Sequence, residues 1–300
     1  MKKIYHKPVM LEEAILGLKI NPNGVYVDVT FGGGGHSRAI LQKLSNKGRL
    51  LAFDQDVDAQ QNSISDTRFR LIHGNFSNIK RHLKFCGIST VDGILADFGV
   101  SSHQFDSGSR GFSTRLEGPL DMRMNTKSKL SAREIINEYS AEELEKIFKN
   151  YGELRIARKL ACHIVKERNQ NPVKTTLGLV SLLTPILPEH VFNKTIARVF
   201  QAIRIEVNSE LEVIKSFLEQ SVEVLKTGGR LVCISYHSLE DRLVKIFIRE
   251  GKFAGKAESD LYGYRNLPIK KVGNLQIPSE KEIKYNRRAR SGKLRIGERI

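Results

Sequence analysis

Cysteine is scarce in this chain. The 300 residues contain three, Cys86, Cys162 and Cys233. They are far apart, odd in number and without a CxxC pair, which argues against a disulfide framework and a structural zinc site and suits a reducing, cytoplasmic setting. No metal-ligating set is expected. Long hydrophobic runs are missing as well: no apolar stretch approaches the roughly 20 residues of a membrane span. The basic stretch Met1 to Pro8 leads not into a signal-peptide core but into a segment interrupted by Glu12 and Glu13. Neither repeats nor low-complexity tracts occur, so a protein that makes no use of membrane is expected.

What is present is ordinary globular material, with 40% hydrophobic and 27% charged residues. The length suits about two domains, or one domain with a large insertion. Basic residues outnumber acidic ones 49 to 33, a formal charge of +16, which favours a polyanionic partner through counterion release. From Arg265 to Ile300 there are 11 basic and 3 acidic residues, so this segment carries +8, half of the total. Within it Arg287, Arg288, Arg290, Lys293 and Arg295 alternate with small or apolar residues, the pattern of a docked strand touching nucleic acid rather than of a solvated charge run.

The first third alternates short apolar runs with helical patterns, as parallel βαβ units do. Strands are expected at 25–29, 49–53, 69–72 and 91–96, each ending in a polar or glycine-rich loop, and a helix is expected over 37–44. After Asp106 the texture becomes helical. Ser131 followed by Glu134 and Ser140 followed by Glu143 are capping-box patterns, and further helices are expected at 153–167, 176–183 and 194–207. The α/β texture then returns: a helix over 211–225, a stop and turn at Thr227-Gly228-Gly229, and a strand at 230–235. The expected division is a discontinuous α/β domain of residues 1–112 and 207–300, interrupted by a helical, substrate-recognising insertion at 113–206.

The chemistry concentrates at the ends of the early strands. The run Asp28-Val29-Thr30-Phe31-Gly32-Gly33-Gly34-Gly35-His36-Ser37 joins a strand to a helix, and consecutive glycines let backbone turn sharply and approach a ligand. Asp54 follows Gly34 by 20 residues, at the end of the next strand, where a carboxylate receives the ribose hydroxyls of a nucleoside cofactor. A dinucleotide asks for a helix N-terminus aimed at a pyrophosphate. The acidic Asp28 entering this loop suits instead the cationic amino-acid end of S-adenosylmethionine. Phe76 and Asp97 end the third and fourth strands, placing a ring near an adenine and a carboxylate where acceptor amine and sulfonium meet.

Eight stretches carry a resemblance: His6 to Leu11, Phe31 to Ser37, Asp97 to Gln104, Arg110 to Ser113, Pro119 to Met124, Arg198 to Asn208, His237 to Arg242 and Arg288 to Ser291. In this order they resemble the bacterial 16S ribosomal RNA cytosine-N4 methyltransferase family across nearly the whole chain. The resemblance implies an α/β, class I (Rossmann-like) S-adenosylmethionine-dependent methyltransferase sheet with an inserted helical domain. It also implies methylation of the exocyclic N4 of one cytidine in the decoding region of 16S ribosomal RNA, within the small ribosomal subunit.

Carried over by position, the cofactor contacts are Gly34, Gly35, His36, Asp54, Phe76, Asp97 and Gln104. One departure is His103, where the family has proline; it removes a fixed φ before Gln104. Asp97 and His237 are the expected catalytic residues. Arg198, Gln201, Arg204, Asn208, Asp241, Arg242, Arg288 and Arg290 are expected beside the RNA; Gln201, Arg204 and Asn208 share one helical stripe opposite Ile196, Val199, Phe200 and Ile203. A target base must be single-stranded or extruded to reach a buried donor. The competing classes are a DNA amino-methyltransferase, a non-catalytic RNA-binding or assembly factor, and a nicotinamide dehydrogenase. The oligomeric state, with a homodimer one candidate, is not set by the sequence.

Overall fold

The computed structural model describes residues 8–258, 262 and 265–300. His6 and Lys7 of the first motif, with the rest of the basic N-terminus, lie outside them. The chain forms two compact units, one of residues 1–99 with 211–300 and one of residues 100–210.

In chain order the elements are α1 (Leu11–Leu18), β1 (Val25–Asp28), α2 (Gly35–Lys43), β2 (Arg49–Asp54), β3 (Phe69–His73), α3 (Ile79–Phe85) and β4 (Val91–Asp97). Then come the helices α4 (Ser102–Asp106), α5 (Ala132–Glu138), α6 (Ala141–Asn150), α7 (Ala157–Arg168), α8 (Thr176–Leu183) and α9 (Phe192–Asn208). The chain returns through α10 (Glu210–Val224) to β5 (Leu225–Ser235), α11 (Ser238–Glu250), β6 (Ile269–Gln276), α12 (Glu280–Tyr285) and β7 (Lys293–Arg299).

The seven strands of the described residues make one sheet in the order β3-β2-β1-β4-β5-β7-β6. The first five pair in parallel, and β7 enters antiparallel between β5 and β6. This is the Rossmann-like α/β sheet that the early βαβ texture implied. Its central strands are apolar on both faces because helices cover both. Val27, Leu51, Phe53, Ile94, Ala96, Leu231 and Cys233 project into one core with α3, α10 and α11. Their alternates Tyr26, Leu50, Leu95, Val232 and Ile234 project into the other with α1 and α2. The two-residue period of a strand makes this split, and each fully buried large side chain contributes roughly 1.5–3 kcal/mol.

One expectation is corrected here. Thr227-Gly228-Gly229 is not a stop: it is a bulge inside β5, where the pairing jumps from Val91↔Leu225 to Gly93↔Arg230 and Gly228 takes φ 79°. Lys226 bonds Asp92 at 2.8 Å beside it. The basic C-terminal segment does supply a docked strand, β7, with Leu294 and Ile296 buried between β5 and β6.

The helical unit begins at Val100 rather than residue 113. Arg110 is buried, its guanidinium donating to the carbonyls of Arg123 and Met124, and Phe112 packs among Leu120, Ile135 and Phe200. The Ser131/Glu134 and Ser140/Glu143 capping boxes are both formed. Helix α7 starts at Ala157, later than the expected 153, because Glu153 sits in a left-handed turn at φ 49°. On α9 the faces divide as the spacing requires: Ile196, Val199, Phe200 and Ile203 are all buried.

Candidate active site

The glycine run makes a turn between β1 and α2. Gly34 takes φ 74°, which L side chains rarely adopt, and a Cβ on Gly35 would lie 2.1 Å from Pro8 Cγ, so glycine is required at both for different reasons. The turn is tied to the next strand: the Gly32 N–H donates to Asp54 Oδ2 at 2.8 Å, and Asp54 Oδ1 accepts from the Asp56 N–H at 2.8 Å. His36 is buried, with Nε2 3.1 Å from the carbonyl of Val9.

Three carboxylates meet the C-terminal ends of β1, β2 and β4, where open α/β sheets bind ligands. Asp28 is 1% exposed and accepts from Ser37 Oγ at 2.7 Å and from the Thr30 N–H. Asp97 accepts from the Tyr236 hydroxyl at 2.6 Å on Oδ1, its Oδ2 lies 3.8 Å from His36 Nδ1, and its backbone N–H donates to Thr30 Oγ1. Burial pushes each of the three carboxyls up to about 6, against the hydrogen bonds that favour the charged form. Burial also pushes the His36 imidazole toward its neutral form. Among the described residues, no lysine or arginine pairs with Asp28, Asp54 or Asp97. The site therefore suits a ligand that brings positive charge, and a pyrophosphate would only add to the negative charge. A nucleoside with a cationic chain, the chemistry of S-adenosylmethionine, fits these donors and acceptors.

Phe76 follows β3 and packs edge-on against Phe217 at 5.4 Å, with Phe98 at 6.1 Å, so part of its ring belongs to the core. His237 is the N-cap of α11: its Nδ1 accepts from the Glu240 N–H, and Glu240 Oε2 in return accepts from the His237 N–H. The same oxygen accepts from the Tyr236 N–H at 2.7 Å. Asp241, expected beside RNA, is turned onto Arg295 at 2.6 Å and Lys293 at 3.5 Å, so its carboxylate ties α11 to β7. Arg242 is exposed.

In the second unit, Gln104 is buried at the start of α4, where its side chain accepts from the Ser101 N–H in a capping box. That box stiffens the turn where His103 replaces the family's proline. The stripe of α9 is engaged internally. Gln201 donates to the Tyr151 carbonyl, and Arg204 forms a two-pronged pair with Glu210 at 2.8 and 2.9 Å. Asn208 donates to the Met122 carbonyl and accepts from the Met124 N–H. Arg198 reaches the Glu153 carbonyl at 3.4 Å.

The basic C-terminal residues divide in two. Lys270, Lys293, Arg295 and Arg299 serve the sheet, pairing with Glu298, Asp241 and backbone carbonyls. Arg287, Arg288 and Arg290 stand exposed on the turn before β7. Tyr236 is the residue that sequence reasoning missed. It directly precedes His237 in a recognised motif, but only the pairing of Asp97 with Ile234 on neighbouring strands reveals which carboxylate it meets.

The profile of the MraW methylase family matches residues 3–300 of this chain. The Ribosomal RNA small subunit methyltransferase H of Christiangramia forsetii is 57% identical over 296 residues, covering 99% of this chain and 98% of the relative. The protein of that name from Flavobacterium johnsoniae is 56% identical, with the same coverage. Among solved structures, an rRNA methylase from Streptococcus thermophilus aligns over 100% of this chain and 99% of its own, at 11% identity and a TM-score of 0.44.

Proposed function

Because this chain belongs to the MraW methylase family, we propose that it methylates the exocyclic N4 of a cytidine in the decoding region of 16S ribosomal RNA, using S-adenosylmethionine. The observation that carries this reading is the set of three carboxylates around the glycine turn, Asp28 buried and Asp54 and Asp97 partly buried, with which no lysine or arginine among the described residues pairs. When bound, the donor supplies a methyl group on a positively charged sulfur. Asp54 receives the ribose hydroxyls, the Gly34-Gly35 turn and His36 flank the amino-acid end, and Phe76 lies against the adenine. The near-complete resemblance to relatives named for the small ribosomal subunit supports the RNA, and the exposed Arg287, Arg288 and Arg290 supply cations for its phosphates.

Asp97 is proposed to act on the acceptor. An exocyclic amine is a weak nucleophile because its lone pair is delocalised into the ring. A carboxylate accepting one of its hydrogens favours a pyramidal nitrogen and relieves the positive charge that develops. His237 caps α11 in the adjoining loop and is proposed to border the target base. The test is mass spectrometry of 16S nucleosides from cells with and without the protein, joined to tritium transfer from labelled donor to RNA, DNA and assembled subunits. Loss of N4-methylcytidine in RNA alone is expected. Transfer to DNA alone would overturn the substrate, and full turnover by Asp97→Ala would remove that residue from the chemistry.

A further inference from the structure

Asp97 is fixed on three sides. Its backbone N–H is bound to Thr30 Oγ1 at 2.7 Å, Oδ1 accepts from Tyr236 at 2.6 Å, and Oδ2 faces His36 Nδ1 at 3.8 Å. Tyr236 follows β5 and continues the alternation of Val232 and Ile234, so its ring packs into the core that those residues share. Its hydroxyl reaches across to the neighbouring strand, where Asp97 is the register partner of Ile234. Beside the ring the backbone passes at Gly99, which takes φ 97°. A phenol at this distance makes a strong, charge-assisted hydrogen bond only with an ionised carboxylate.

We infer that Tyr236 is a positioning residue for methyl transfer: its hydroxyl occupies Asp97 Oδ1 and leaves Oδ2 as the oxygen that receives the acceptor amine. This rests on the methyltransferase reading above. In the transfer the amine lone pair forms the N–C bond, the electron pair of the S–C bond stays with sulfur, and one N–H proton leaves toward Oδ2. A carboxylate free to rotate would present either oxygen; a carboxylate held at Oδ1 presents one. The titratable groups that bear on Asp97 are His36 from α2, Tyr236, Asp28 from β1 and Glu240 from α11. His36 and Tyr236 favour its ionised form, while Asp28 and Glu240 oppose it. Removing the hydroxyl therefore moves the carboxyl titration upward.

Tyr236→Phe deletes one oxygen and leaves the partly buried ring in place. In this variant, calorimetry at about pH 8, where Asp97 is ionised with or without the hydroxyl, should find the affinity for S-adenosylhomocysteine within about twofold of the parent, because Asp97 is the one proposed donor contact that the hydroxyl touches and its charge is then unchanged. Turnover at neutral pH should fall about tenfold, with the acid limb of the rate profile displaced upward by about one pH unit. Carbon-13 NMR of aspartate-labelled protein, with the Asp97 signal identified by Asp97→Asn, should show the same upward displacement without donor or RNA. Installing 3-fluorotyrosine at 236 strengthens the donor and should move the midpoint the other way. An unchanged NMR midpoint and rate profile in both variants would overturn the inference. If instead the parent protein transfers no methyl group while the NMR midpoints move as described, the contact stands and the methyltransferase reading fails.

Discussion

At the ends of β1, β2 and β4, Asp28, Asp54 and Asp97 are held by N–H and O–H donors and, among the described residues, pair with no lysine or arginine, whereas along α9 the polar residues of the stripe are matched to partners. Both sets stand out in the sequence as polar residues beside apolar elements, yet they do different work. The strand ends retain unanswered negative charge, which is costly to bury and gains from a cationic ligand. The α9 stripe has no such demand: Arg204 has Glu210, Gln201 has the Tyr151 carbonyl, and Asn208 bridges the loop at Met122 and Met124. Residues expected beside the RNA thus hold the helical unit together, and unanswered charge separates a ligand site from a structural network better than polarity does.

The sharpest way to break this comparison is Arg204→Met. If the pair is structural, stranding Glu210 in a nearly buried setting costs about 3–5 kcal/mol, seen as a lower Tm, and Arg204→Met with Glu210→Leu recovers most of it. Unchanged Tm with lost methylation would return Arg204 to the substrate set. Next in size is Asp54→Ala, which should weaken donor binding by about 10–100-fold, the loss of hydrogen bonds to a charged group, with Phe53 and the surrounding core undisturbed.

The pH dependence sharpens the contrast further. Asp28, Asp54 and Asp97 titrate near 6 when folded, above the usual 3.8. Between about pH 4 and 6 the folded state therefore binds more protons than the unfolded one. These three groups then lower stability as pH rises through that window, with no further change above it. Binding of a cationic donor should run the opposite way, strengthening about tenfold or more from pH 5 to 7.5 as the carboxylates ionise. Calorimetry and melting curves with and without S-adenosylmethionine measure both trends, and donor affinity indifferent to pH would separate the carboxylates from the ligand. The smallest effect is expected at the exposed turn. Arg287→Gln with Arg290→Gln should reduce the salt slope of RNA binding by about 1.4, roughly 0.7 for each lost phosphate contact, at unchanged Tm. Deleting the whole segment would not test this, because it removes β7 from the sheet.

Much of the fold was legible because local rules governed it. The two-residue period of β1, β2 and β4, the serine capping boxes of α5 and α6, and the apolar face of α9 all follow from spacing alone. Where reading failed, a distant partner decided. Thr227-Gly228-Gly229 has every local mark of a turn, yet Asp92 on the neighbouring strand draws it into a bulge. The tail's cations resemble a nucleic-acid arm, yet Glu298 and Asp241 claim several of them for the sheet.

Taken alone, the sequence determined the parallel α/β core, the glycine turn with its left-handed Gly34, and the placement of acids after successive strands. These depend on backbone conformation and alternation, which neighbours in the chain dictate. Only the tertiary structure decided that Tyr236 meets Asp97, that Asp241 belongs to Arg295, and that β7 lies inside the sheet. Each of these is a contact between residues far apart in the chain, where strand register, not local propensity, selects the partner.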